Sequence, residues 1–209
     1  MFGFLDVPAQ GAYHLVSWLA GATGVTLAIV LFTISIRLML HPLARMAVRG
    51  EKTRAALAPQ VTKLREKHKR NPERLQRELM SLYQKEGTSA FAGCLPVLLQ
   101  LPFFMVMYRL FSATTINGAP NDLLARTLFG APLGSHFLTS GSVVFVVLFA
   151  ALLVVGWFSS RAMPAESPRF LRLMPFGTSL AVGVLPLAAG IYLATTTTWT
   201  VIERFYLRR

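Results

Sequence analysis

One arginine in this sequence stands where an arginine is costly. Arg37 lies within TISIRLMLHPL (33–43), inside an otherwise apolar block. A guanidinium at the centre of a membrane-spanning helix costs about 2.5–3.5 kcal/mol on insertion scales. Two readings are open. About six residues at 1.5 Å each put Arg37 roughly 9 Å from the block's end at Leu43, so its side chain can snorkel to the interface. Alternatively, it faces a hydrated cavity. Its company favours the cavity: Thr33 lies one turn earlier on the same helical face, Gln100 sits in a second apolar block, and the run 195–198, with Thr196 and Thr197, plus Thr200 lies in the last one. Threonines alone often bond only to their own helix carbonyls. If the three blocks meet, however, these groups line one polar cavity. No acidic side chain is expected deep enough to neutralise Arg37. An uncompensated positive charge suits transient attraction of an acidic segment or, in a small membrane channel or transporter, an anion site.

No constellation for covalent or metal chemistry accompanies the arginine. His14, His41, His68 and His136 lie far apart, and there is no HExxH, no Gly-rich phosphate loop and no acid pair within an apolar block. The single cysteine, Cys94, excludes an intramolecular disulfide and a thiolate-rich zinc site. The expectation is a protein that is not an enzyme and uses no metal and no cofactor.

The surrounding elements are those of a membrane protein. Charged residues make up 14% of the chain, against about 25% in soluble domains, and the apolar residues collect in blocks of membrane-span length. The expected fold class is an all-α membrane protein with five transmembrane helices and a cytoplasmic antiparallel helical hairpin. The spans are expected at 24–43, 91–111, 142–158, 170–185 and 187–203, the last two parting at Pro186. Charge sets the orientation. The segment 44–90 holds 12 of the 21 Lys and Arg residues, 159–169 and the tail 204–209 are also basic, while 112–141 has only Arg126 and 1–23 has none. The positive-inside rule then puts the N-terminus out and the C-terminus in. Residues 11–20, with Tyr13, His14 and Trp18, suit a helix lying in the interface, and no cleavable signal peptide is evident. A nucleic-acid role for the basic stretch is disfavoured by its place between two apolar blocks. Within it, Asn71-Pro72-Glu73 reads as a helix restart, and Leu75, Leu79 and Leu82 follow at helical spacing, so two helices fold together. Pro59 is expected to bend the first of them.

At this point the sequence resembles a known family. LAPQVTKLREKHKRNPERLQRELMSLYQKEG (57–87) followed by GCLPVLLQLPFFMVMYRLF (93–111) is similar to the cytoplasmic hairpin and second shared span of YidC/Oxa-type membrane protein insertases. TISIRLMLHPL resembles the family's first shared span, and LPLAAGIYLATTTTWTVIERF (185–205) its last. The resemblance implies a hydrophilic groove open to cytoplasm and lipid, with Arg37 as its positive residue and Thr33, Gln100 and Tyr192 near the substrate path beside Thr196 and Thr197. It also implies recruitment of incoming chains by the hairpin, through basic residues such as Lys63, Arg65, Lys67, Lys69, Arg70, Arg74 and Arg77. The implied partners are nascent membrane-protein substrates and the lipid bilayer, with room for the ribosome and the Sec translocase and no specific nucleic-acid binding. The implied location is the bacterial plasma membrane, and the implied action is insertion without nucleotide hydrolysis. The sequence departs from the pattern at Ser89-Ala90, Ala188, Leu193 and Glu203, where the family has Asn-Pro, glycine, an aromatic and, commonly, glutamine.

Overall fold

The apolar blocks and the basic stretch between them both become helix. The computed structural model describes residues 6–87, 95–116, 118–163 and 169–208. The helices are α1 (Asp6–Thr23), α2 (Val25–Met39), α3 (His41–Lys67), α4 (Pro72–Lys85), α5 (Leu95–Ser112), the one-turn α6 (Asp122–Ala125) and α7 (Phe137–Ser140), α8 (Val143–Arg161), α9 (Arg169–Ala181) and α10 (Leu187–Arg208). Two short ribbons, β1 (Thr115–Ile116) with β2 (Ala119–Pro120) and β3 (Thr127–Leu128) with β4 (Ala131–Pro132), both antiparallel, lie between α5 and α7. The chain divides into two compact units: Leu40–Leu101 with its helix pair α3 and α4, and a larger one formed by the chain through Met39 together with Pro102–Leu207.

In the larger unit, α2 turns back along α1 at Gly24, whose positive φ of 80° is a conformation that glycine adopts at little cost. The core gathers Ala12 and Val16 of α1, Ala28 and Ile29 of α2, Leu110 and Phe111 of α5, Phe145 of α8 and Leu187–Ala189 of α10, with Leu123, Ala131 and Leu133 from the connecting loop. That loop is a cap. The side-chain Nδ2 of buried Asn121 donates to Leu110 O at 2.6 Å and Ala113 O at 3.0 Å, which satisfies carbonyls that end α5 without helical partners. At the start of α10, Leu187 N and Ala188 N donate to Ser135 O and Leu133 O, both at 2.9 Å. Close packing joins the elements. A Cβ on Gly190 would stand 2.6 Å from Leu148 Cδ2, and one on Gly156 would stand 3.3 Å from Pro175 O, so both glycines let helices approach, as small residues do between membrane helices. α8 starts from Ser142, whose hydroxyl accepts from Val144 N at 3.4 Å, and turns Val143, Val146, Val147, Val154 and Phe158 outward.

In the smaller unit, α3 runs unbroken through Pro59 and α4 folds back on it, facing Glu78, Ser81 and Leu82 toward Gln60, Lys63 and Leu64. Asn71 caps α4 by accepting from Arg74 N at 3.0 Å, with Pro72 next to it. Val48 and Leu57 are buried, while Met46 is exposed.

Several boundaries differ from the sequence expectation. The first block is not one helix: α2 ends at Met39, and α3 starts at His41. Pro42 lacks the N–H of a continuing helix and its ring crowds the carbonyl four residues back, so it is tolerated in the first turn of a helix, where it stands in α3. The helix expected over 11–20 runs over Asp6–Thr23 and buries Ala9, Ala12 and Val16. α9 has 13 residues and α10 has 22, so the last helix is not short. Among the described residues, α8 alone is long and apolar enough to cross a bilayer unaided; α2 and the first part of α3 pass together as a bent pair. α9 is too short, and α10 carries threonines, Glu203 and Arg204 in place of a purely apolar run. The joint at 88–94 and the connection 164–168 lie outside the described residues.

Candidate functional site

Arg37 is placed by α2, near the end of an otherwise apolar helix, and half buried. Its Nε donates to Thr196 Oγ1 of α10 at 2.8 Å, between residues 159 apart in sequence. Thr196 is buried. A neutral hydroxyl relieves part of the cost of withdrawing a guanidinium from water but leaves its charge in place. Thr33, one turn before Arg37, is also buried and donates to Ile29 O at 2.7 Å. Tyr192, one turn before Thr196, is buried with its ring 6.4 Å from that of Phe104.

The threonine run therefore splits by face. Thr196 meets Arg37, whereas Thr195, Thr197 and Thr200 donate to carbonyls of their own helix, Thr197 to Leu193 O at 2.6 Å. Thr197 lies about 100° around the helix from Thr196, and that rotation separates them. Gln100 lies on α5, but its side chain is outside the described residues.

α10 also buries an acid, Glu203. It is only 8% exposed, on the same helix and seven residues beyond Thr196, which is two turns along one face. A reading that counted charges by block boundaries put it at the tail edge. The signal that finds it is the spacing from Thr196 to Glu203.

The neighbouring face of α2 is apolar. Phe32, Ile36 and Met39 join Pro8, Gly11 and Leu15 of α1 and Phe103 and Val106 of α5 around a groove of about 620 Å³. α2 thus sets a charged side toward α10 and a greasy side toward α1 and α5. In the smaller unit, Lys63, Arg65, Lys67, Lys69, Arg70, Arg74 and Arg77 are all exposed. Arg74 and Arg77 have carboxylate neighbours on their own helix, Glu78 at 3.4 Å and Glu73 at 3.7 Å. Buried His68 brings Nε2 to 3.1 Å from Glu78 Oε2. Among the described residues, no group of three or more His, Cys, Asp and Glu could hold a metal ion.

A family model described as 60Kd inner membrane protein matches residues 18–209, nearly the whole chain. The chain belongs to that family. Among the family's curated relatives, a protein of Zymomonas mobilis named membrane protein insertase YidC is 29% identical over 205 residues, covering 91% of this chain and 35% of that protein. A protein of the same name from Wolinella succinogenes is 31% identical over 204 residues, covering 81% of this chain and 38% of the relative. The chain thus spans little more than a third of the length of these relatives. A solved structure, described as an active YidC insertase with the first transmembrane domain resolved, has the same fold, with a TM-score of 0.67 at 24% identity over 96% of this chain and 46% of that one. The resemblance to YidC/Oxa-type proteins drawn from the hairpin and span motifs is therefore shown. The 60Kd inner membrane protein family supplies the membrane context in which Arg37, an expensive residue there, has to be understood.

Proposed function

We propose that this protein is a membrane protein insertase and chaperone of the bacterial plasma membrane, acting without nucleotide hydrolysis or any covalent step. The contact of Arg37 Nε with buried Thr196 carries the reading, because it ties an arginine of an apolar helix to a polar face of another. The site residues are Arg37, Thr33, Thr196 and Tyr192, and the family resemblance adds Gln100 and Thr197. A passenger enters from the cytoplasmic side, its polar segment lowering its desolvation cost beside these groups and its acidic side chains drawn by Arg37. Its apolar segment then passes to lipid, driven by about 25 cal/mol for each Å² of apolar area removed from water. α9, at 13 residues, spans about 20 Å and favours local thinning of the bilayer beside it.

Five spans with the N-terminus out and the C-terminus in suit the charge distribution. The ring of Trp157 with Arg161 stacked over it at 4.1 Å suits an interfacial anchor at the inner end of α8. The α3–α4 pair, with Lys63, Arg65, Lys67, Lys69, Arg70, Arg74 and Arg77 outward, is a recruiting arm for nascent chains, and the ribosome and the Sec translocase are partners of the same chemistry.

The test is insertion of a short, acidic, single-span passenger into liposomes containing this protein, with Arg37→Ala and a deletion of 46–86 beside it. We expect insertion that falls sharply with the deletion and measurably with Arg37→Ala. Insertion no better than in empty liposomes, with the protein shown folded, sinks the reading. Solute flux through the same vesicles then turns it to a channel or transporter with Arg37 as an anion site.

A further inference from the structure

The cap contains two hairpins of the same size whose turns are built from different residues. In each, the last residue of one strand pairs with the first of the next across two residues: Ile116 with Ala119, and Leu128 with Ala131. A two-residue hairpin turn favours positive φ at its central positions, which Asn-Gly adopts at little cost. The first hairpin has Asn117-Gly118 there in sequence. The second has Phe129-Gly130, with φ of 48° and 82°. A left-handed conformation is unfavourable for a bulky side chain, and the ring gains no packing in return, being 91% exposed. The base of the same ribbon is held on both sides. Ala131 and Leu133 are buried, Leu133 N donates to Arg126 O at 2.8 Å, and Leu133 O accepts from Ala188 N at the start of α10. A fixed stem thus carries a strained, uncovered aromatic at its tip.

The neighbouring elements indicate a lipid surface. The cap follows the end of α5, leads into α8 and bonds to the start of α10, and α8 is long and apolar enough to cross a bilayer. Just before α8, Leu138 is 86% exposed, while Phe137 packs on Phe145 of α8 with ring centroids 5.9 Å apart. Val143, which opens α8, is exposed as well. Exposed apolar side chains therefore continue from the membrane helix into the cap. The connection 112–141 carries only Asp122 and Arg126 as charged groups, so little charge has to be desolvated for the tip to lie against lipid. Aromatic rings are favoured at the membrane interface, and Arg126, exposed three residues earlier, has the reach to keep its guanidinium among headgroups. We propose that the Phe129 tip is an interfacial anchor: its ring enters the boundary between headgroups and acyl chains on the cap side of the bilayer, and that contact compensates the backbone cost of the turn. Through Leu133 the anchor fixes the depth of the first turn of α10, the helix that carries Tyr192 and Thr196. The inference rests on the membrane family to which the chain belongs and goes beyond the insertase reading.

The test uses the full chain with Cys94→Ser in phosphatidylcholine vesicles. An environment-sensitive dye is attached to Phe129→Cys or, as control, to Ala119→Cys beside the other turn, which is also exposed. Lipids carrying a nitroxide quencher near the headgroup are expected to remove most of the emission from 129 and little of that from 119. Equal quenching at both positions overturns the anchor. So does its absence at 129, which would make the ring a contact for a partner protein instead. The dye is itself apolar, so a second measurement is label-free. Phe129→Asn gives the second turn the residue that the first already has. Its Tm in detergent micelles should stay or rise, because asparagine tolerates the left-handed conformation. In nanodiscs, the amides of 127–131 should exchange faster than in the wild type. A lower Tm makes Phe129 a structural residue, and unchanged exchange removes the bilayer contact; either result overturns the proposal. Insertion of the acidic passenger by the wild type tests the insertase reading separately.

Discussion

The two ends of the larger unit handle buried polar groups in opposite ways. At the cap end, hydrogen bonds run to fixed backbone groups: the Asn121 amide closes α5, and the carbonyls of Ser135 and Leu133 close the start of α10. Apolar side chains such as Phe111, Phe145 and Leu187 fill the space between. In the half containing Arg37, the same helix α10 offers Thr196 to a cationic side chain, with Tyr192 and Glu203 buried on the same face. The first end is held by backbone carbonyls and amides of the chain itself. The second carries charge that a partner can compete for. Buried polar groups with complete partners specify structure, whereas exchangeable ones specify binding. The difference predicts that changes at the cap end cost stability and changes around Arg37 cost selectivity.

The largest expected effect is at the cap end. Gly190→Leu puts a side chain where even a Cβ stands 2.6 Å from Leu148 Cδ2. Overpacking of this kind costs about 3 kcal/mol at the upper end of its usual range, or roughly 6–12 °C in Tm for a chain of this size. Val147→Leu on α8, at 63% exposure, serves as the control; surface changes usually stay within about 0.5 kcal/mol. Thermal unfolding in detergent micelles compares them, and equal Tm values for both variants break the assignment of a tight end. Asn121→Ala comes next. It removes two hydrogen bonds and strands Leu110 O and Ala113 O, for about 2 kcal/mol. Hydrogen exchange should show the loss first at the end of α5.

How much of this was legible in the sequence follows from the same contrast. The apolar blocks, the charge asymmetry and the Asn71-Pro72 restart are local signals, and helices form at each. Arg37 and Thr33 stood out because the cost of a polar group in an apolar run is written in the run itself. The cap was not legible. Its two-residue strands are too short for any alternation, and its local marks are turns: Phe129 and Gly130 have positive φ, 48° and 82°, between β3 and β4, and Gly118 has φ 78° between β1 and β2. Which threonine meets Arg37 depends on the rotation of α10 against α2, a tertiary property that the run 195–198 does not reveal. Glu203 stands out in the sequence as a departure from the family pattern, but its burial depends on how α10 packs and is not written at the edge of its block. The break at Leu40 was legible in Pro42 and was passed over because the hydropathy of the block continues across it.

Thr196 and Thr197 sharpen the comparison at a smaller scale. Thr196→Val removes the acceptor of Arg37 Nε, whereas Thr197→Val removes only a bond to its own helix. The first should cost about 1 kcal/mol and reduce the preference for acidic passengers; the second should do neither. Insertion ratios and Tm for the pair decide it, and equal behaviour of the two variants means that the face of α10 has been assigned wrongly.

The smallest effect belongs to the helix pair outside both regions, where water screens the same chemistry. Desolvation would raise the pKa of Glu78, but His68, Lys67 and Arg74 outweigh it and hold the carboxylate below its usual range. A carboxylate whose folded-state pKa is depressed stabilises the fold above its unfolded value, about 4.3, and that contribution is lost as pH falls through the lower folded value. Amide protection in α3 and α4 is therefore expected to weaken as pH drops below about 4.3 in the wild type. Glu78→Gln should lose that acid-dependent part and start from slightly weaker protection at neutral pH. Exposed ion pairs contribute little, so the expected change is small. If it instead rivals that of Gly190→Leu, the pair depends on its charges for folding, and the division between structural packing and exchangeable charge does not extend to the hairpin.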